Sequence, residues 1–167
     1  KSKYSDLFEQ VRRRQPLVLA AELQRQLLPP STFSTPRVGV AGVLEPAYEV
    51  AGDAFDYALN ADVLSAAVFD GVGHDLASAV MTTLAVGAYR SARRNQLDLA
   101  ETAAVIDQAL RSQFAAKAFV TAALIQLDVS TGAVRWLNAG HPRPLLLRSG
   151  GWCARWAGRC CSDATAS

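Results

Sequence analysis

The sequence predicts an α+β fold built on mainly antiparallel sheets. Short runs rich in β-branched and aromatic residues cluster at residues 37–70 and 118–148. Two helical patterns separate these clusters, where a doubly wound fold would place one helix after each strand. Gly, Pro, Asn and Asp punctuate the runs, as hairpin and loop connections require. With 167 residues, 50% of them hydrophobic, the chain is one domain of ordinary size with material for a real core.

The opening segment, roughly Ser5 to Leu28, reads as helix, because Leu19, Leu23 and Leu27 recur every four residues. Pro16 either starts a new helix or kinks a longer one, and Pro29-Pro30 ends it. STFSTP (31–36) reads as a loop. RVGVAGVLEPA (37–47), GDAFDYALN (52–60) and DVLSAAVFD (62–70) read as strands, with Asn60-Ala61-Asp62 as the turn between the last two. A small-residue-rich helix follows from His74 to about Arg94. A second runs from about Leu99 to Phe114, with Ala103, Ile106 and Leu110 on one face. AFVTAALIQLD (118–128) and AVRWLNAGH (133–141) are strands joined by the turn VSTG, and PRPLLLR (142–148) is one more.

A formal charge of +2 argues against broad nucleic-acid binding, and the one dense basic cluster, Arg12, Arg13 and Arg14, reads as a solvated helix face. No apolar run is long enough to span a bilayer, and the charged start does not look like a secretory signal. Cys153, Cys160 and Cys161 all fall in the last fifteen residues, so the body has no disulfide framework. These features together favour the cytoplasm.

The acids are the most pointed feature. Asp53 and Asp56 lie three apart in AGDAFD, and Asp70 ends the next strand. The midpoint of Asp53 and Asp70 falls within a residue of the middle of the Asn60-Ala61-Asp62 turn, so a hairpin there sets the two acids nearly opposite each other. Like charges facing across a sheet are destabilising, unless one is protonated or a cation lies between them. Oxygen ligands select Mg²⁺ or Mn²⁺ over zinc. Gly71 lets a backbone carbonyl approach such an ion. Each acid alone reads more readily as turn chemistry, and only the pairing by hairpin register favours the cation.

Other chemistries find less support. A His-Asp phosphohydrolase centre needs more histidines than His74 and His141. No Gly-x-Ser-x-Gly elbow exists, and GVGHDL lacks the lysine of a phosphate loop. NAGHPRP (138–144) reads as a strand-ending turn with Gly140 at the bend, and His141 as a hydrogen-bonded structural histidine rather than a ligand.

LQRQLLPP, VAGDAFDY, VFDGVGHDLASAV, FVTAALIQLD and LNAGHPRPLLL occur in an order that resembles the SpoIIE/RsbU-type bacterial serine phosphatases, the stress- and sporulation-regulating branch of the metal-dependent PP2C phosphatases. The resemblance covers about Ala20 to Leu147. It implies an α–β–β–α sandwich of antiparallel sheets around a two-metal Mn²⁺ or Mg²⁺ centre. It also implies a protein serine/threonine phosphatase acting on a phosphorylated anti-sigma-factor antagonist. By motif match Asp53 and Asp70 are the catalytic metal ligands, Gly71 supplies a carbonyl, and Asp56 has a supporting role. Two such cations hold a hydroxide for in-line attack and neutralise the phosphoryl oxygens. The opening helix (1–30) then reads as a linker to an upstream sensor domain, pairing with its counterpart in a dimer, although its pattern reads equally as a simple packing helix; 31–150 becomes a partial phosphatase domain.

Three positions depart from the family pattern. Ala51-Gly52 stands where two glycines are common. Asp75 stands where glycine follows the histidine, and it either stabilises the next helix N-terminus or alters the metal site. No TDG-like segment with a metal-bridging aspartate follows the last strand. Residues 151–167, GWCARWAGRCCSDATAS, form an atypical tail, and back-translation one base earlier permits VVRALGRPLLLG, a more family-like continuation. The expectation is therefore a frameshift near Gly150, a weak or inactive chain, and dimers or larger assemblies covering exposed sheet edges. The competing expectation is a non-catalytic PP2C-like interaction module in a stress or sporulation signalling pathway.

Overall fold

A computed structural model describes residues 25–44, 52–73, 75–114 and 119–148, together with the backbone of Gly151–Arg155. Eight strands and two whole helices lie within these residues. They run in the order β1 (Thr32–Ser34), β2 (Gly39–Ala41), β3 (Asp53–Asn60), β4 (Val63–Gly71), α1 (Leu76–Arg94), α2 (Leu99–Gln113), β5 (Val120–Asp128), β6 (Val134–Ala139), β7 (Leu145–Arg148) and β8 (Gly151–Arg155). The centre is a four-stranded sheet in the order β3-β4-β5-β6, antiparallel throughout. Both helices form the connection between β4 and β5 and pack on one face of this sheet. The predicted antiparallel α+β class is the observed one.

Side chains alternate across each strand, so Ala67 and Phe69 of β4, Ala122 and Leu124 of β5 and Leu137 of β6 share the face beneath the helices. Ala85, Val86 and Tyr89 of α1 and Leu99 and Ile106 of α2 close on them. Full burial of a residue such as Phe69 or Leu124 is worth about 1.5–3 kcal/mol each. Small residues at Ala79, Ala85 and Ala92 let α1 lie close to the sheet.

Both helices start on aspartates. Asp75 caps α1, accepting a hydrogen bond from the Ser78 N–H at 3.0 Å. Asp98 and Glu101 form a reciprocal capping box on α2. The β3–β4 hairpin closes at the Asn60–Val63 pair, with Ala61 left-handed at φ 50°. The β5–β6 turn is organised by Asp128, whose carboxylate accepts from Ser130 N, Ser130 Oγ and Thr131 N.

The structure corrects two sequence expectations. STFSTP is not simply a loop. Thr32–Ser34 form β1 against β2, because Phe33 packs on the Tyr57 ring at 5.8 Å and Thr35 closes the turn onto Val38. The strand expected over 37–47 is ordered as strand only at Gly39–Ala41, and residues 45–51 lie outside the described residues. The segment read as an atypical tail opens with strand β8, antiparallel to β7. Of the opening helix, residues 25–27 are described as helical, and the chain leaves the helix before Pro29-Pro30 as expected. The rest of that helix, Arg12 to Arg14, Cys160 and Cys161 lie outside the described residues. Among the described residues no helix is long and apolar enough to cross a membrane.

Candidate functional site

Asp53 opens β3 and Asp70 sits next to last in β4, and the register places them directly opposite each other. They occupy the sheet face turned away from the helices, together with Phe55, Tyr57, Ala66 and Val68. Asp70 is in turn paired with Thr121 of β5. A row Asp53–Asp70–Thr121 therefore crosses three strands at one end of the sheet.

The pair carries an electrostatic cost. Burial raises the Asp53 carboxyl above its usual range, and the charge of Asp70 and a hydrogen bond to it raise it further. His141 opposes this by lowering it. The imidazole comes from the turn after β6. There Gly140 takes φ 75°, and Asn138 clamps the His141 backbone by donating to its carbonyl and accepting from its N–H, both at 2.8 Å. His141 Nδ1 lies 2.9 Å from Thr121 Oγ1. This is the hydrogen-bonded histidine the sequence predicts, but it stands beside the acids. Asp53 and His141 both line a cavity of about 430 Å³ along this face.

Asp56 belongs elsewhere. Three residues from Asp53, it points to the opposite face, where it is buried against α1. Its Oδ1 accepts from Arg90 Nε at 3.0 Å and Nη2 at 2.6 Å, and Arg93 Nη2 lies 3.6 Å from Oδ2. Arg90 also donates to the Leu27 carbonyl, and the Tyr57 hydroxyl donates to the Pro30 carbonyl at 2.8 Å. Asp56 thus ties β3 to α1 and to the incoming segment. Its supporting role is structural.

The first turns of α1 lock the acid-bearing strand ends. The Ser78 hydroxyl donates to the Gly71 carbonyl at 2.8 Å, and the Thr82 hydroxyl donates to the Gly52 carbonyl. Both side chains are fully buried. A Cβ at Gly71 would sit 2.5 Å from Thr82 Oγ1, and one at Gly52 would overlap Ser78 Oγ and the Gly71 carbonyl. The glycines are therefore demanded by helix packing. Sequence reasoning missed Ser78, Thr82 and Thr121. The available signal was a pair of hydroxyls four residues apart on the buried face of α1. Asp75, left open between two roles, is the α1 cap. His74 lies outside the described residues.

Two facing carboxylates suit a hard divalent cation, which would relieve their repulsion in place of a shared proton. The Gly71 carbonyl has one lone pair engaged by Ser78 and a second remaining. Among the described residues no group of three His, Cys, Asp or Glu side chains converges.

Helices packed on an antiparallel sheet are the frame this chain shares with known phosphatase domains. It is similar to the SiaA-PP2C domain of Pseudomonas aeruginosa, with 26% identity and TM-score 0.60 over 78% of this chain and 55% of that one. It is also similar to the RsbU and RsbW domains of Rv1364c from Mycobacterium tuberculosis, with 27% identity and TM-score 0.54 over 60% of this chain and 28% of that one. The chain thus spans about half or less of these structures' lengths. Curated protein sequences give no significant match. Residues 60–158 match the family described as Stage II sporulation protein E (SpoIIE), and the chain belongs to that family of PP2C-type phosphatase domains. The match includes Asp70, Gly71 and His141, begins after Asp53, and runs past Gly150.

Proposed function

We propose that this chain is a Mn²⁺- or Mg²⁺-dependent phosphoprotein phosphatase domain. Its proposed substrate is a phosphoserine or phosphothreonine on a regulatory protein such as an anti-sigma-factor antagonist. The observation that carries this reading is the Asp53–Asp70 register at the end of the sheet. Asp53 and Asp70 would hold the cation, with the second lone pair of the Gly71 carbonyl. A divalent ion held there would supply charge to neutralise phosphoryl oxygens and would acidify water toward a nucleophile near neutral pH. The chain's own groups position these parts. The β3–β4 ladder sets the carboxylates in register, and Ser78 and Thr82 hold the strand ends against α1. The Thr121 hydroxyl pairs with His141 Nδ1, which orients the ring beside the acids so that Nε2 would be the nitrogen offered to a phosphoryl oxygen.

Two carboxylates are a sparse donor set, so metal binding and turnover are expected to be weak. The test is Mn²⁺-dependent hydrolysis of p-nitrophenyl phosphate and of a phosphoserine peptide, with Asp70→Ala as control. Metal-dependent turnover lost in the variant supports the reading. Turnover that survives Asp70→Ala overturns the assignment of the acids. The absence of a third converging ligand among the described residues favours a second reading, a non-catalytic module that binds its protein partner without hydrolysis. Metal-independent capture of an antagonist protein with no turnover would select it.

A further inference from the structure

At the far end of the β3–β4 hairpin lies a second concavity, unrelated to the acid pair. Asn60 is roughly 24 Å along β3 from Asp53 at about 3.4 Å per residue. The cavity measures about 510 Å³ and sits where the sheet extends past the end of α1 and the start of α2. Its floor is a row across three strands, Ser65 of β4, Gln126 of β5 and Arg135 of β6, which are successive register partners. This row continues the helix-side face, which elsewhere carries Phe69, Leu124 and Leu137. The face thus turns from apolar to hydrogen-bonding where the helices cease to cover it.

Arginine supplies the charge. Arg93 and Arg94 end α1 and Arg135 rises from the floor, all three lining the cavity. Arg93 is committed inward, near Asp56 at 3.6 Å and over the Tyr89 ring at 5.8 Å. Arg94 and Arg135 have no ion-pair partner among the described residues. Asp98, the acid in the wall, is occupied in capping α2. Leu97 adds an apolar side. Two unpaired guanidiniums over a polar floor match a phosphoryl group, which arginine binds through paired N–H donors. The volume falls within the range of small-ligand sites, roughly 300–1,000 Å³.

We propose that this cavity binds a phosphate-bearing small molecule of about nucleotide size. Arg94 and Arg135 hold the phosphoryl oxygens, Gln126 and Ser65 donate from the floor, and Leu97 packs on the less polar part. The site does not depend on the phosphatase reading.

The test is an amide NMR titration of the metal-free chain in EDTA with inorganic phosphate, AMP and adenosine. Saturable shifts at Ser65, Gln126 and Arg135 with AMP, and not with adenosine, support the site. Inorganic phosphate separates recognition of the phosphoryl group alone from recognition of the whole nucleotide. Arg94→Gln with Arg135→Gln should weaken AMP binding by about tenfold or more while Asp70→Asn leaves it unchanged. Neither arginine has an ion-pair partner among the described residues, so the double variant should keep the parent's thermal unfolding. Four results overturn the proposal: no saturable shift, shifts confined to the Asp53–Asp70 end, binding unaltered in the double variant, or binding of an acidic peptide without either phosphate probe.

Discussion

Asp70→Asn should stabilise the metal-free chain and abolish its response to manganese. Asp53 and Asp70 are direct cross-strand partners. Opposed like charges of this kind cost about 0.2–1 kcal/mol. Asparagine keeps the shape, removes one charge and offers Asp53 a hydrogen-bond donor. For a domain of this size 1 kcal/mol corresponds to about 2–4 °C in Tm, so the gain in EDTA at pH 7 should reach at most about 4 °C. The folded Asp53 carboxyl titrates above its unfolded value of 3.8, so the folded state takes up a proton first as pH falls. The wild-type penalty is therefore full above the raised folded value. It fades as pH falls through that value, and the advantage of the variant disappears below 3.8.

Manganese should reverse the order. At a hundredfold excess over Kd, a ligand that binds only the folded state adds about 2.7 kcal/mol, or roughly 5–11 °C here. With a single carboxylate left, the variant should show almost none of this shift. Thermal melts of both proteins in EDTA and across a MnCl2 series measure both effects. A variant less stable than wild type in EDTA, or one with an undiminished manganese shift, would refute the paired-carboxylate argument.

Asp56→Ala strands Arg90 and Arg93 in a buried setting and should cost about 3–5 kcal/mol by denaturant unfolding, with any Mn²⁺-induced increment in Tm unchanged. Gly71→Ala forces a Cβ against Thr82 and Ser78 and should cost about 1–3 kcal/mol even in EDTA; a loss seen only in the presence of metal would show instead that the glycine serves the ion alone. Asp75→Ala should cost about 1 kcal/mol through the lost α1 cap, Asp75→Ser should recover most of it, and neither should move the manganese titration midpoint. Hydrogen bonds from Ser130 and Thr131 hold the Asp128 carboxyl down at about 2, so its stabilisation of the β5–β6 turn is full above 3.8 and lost as pH falls through 2; the Tm difference between wild type and Asp128→Asn should close over that window.

The hairpin pairing of the acids was legible because a tight turn fixes register. Once Asn60-Ala61-Asp62 is taken as the turn, counting outward brings Asp53 to Asp70 with no tertiary information. The class of fold was legible for a similar reason, since clustering of strands and of helices is a property of chain order. What depends on non-local contact was not. STFSTP has a loop's composition, and pairing with β2 together with the Phe33–Tyr57 contact makes part of it a strand. Asp56 and Asp53 look like one acidic motif in sequence, yet strand alternation sends them to opposite faces, and the arginines that claim Asp56 lie 34 or more residues away. Asp75 was ambiguous because a cap and a ligand are both acids beside a glycine-rich loop. Only the Ser78 hydrogen bond separates them.

Gly71 shows how the two kinds of information combine. A glycine after a strand-ending acid suggests a carbonyl open to an ion, but the structure supplies a prior reason for it. Ser78 and Thr82 lie one helical turn apart and reach the carbonyls of Gly71 and Gly52, on neighbouring strands. No Cβ fits between helix and sheet at either position. The same contacts that exclude a side chain fix the strand ends on which Asp53 and Asp70 stand. Packing of α1 thus holds the strand ends whose ladder pairs the two carboxylates, and a substitution on the buried face of that helix should reach the acid pair without touching it.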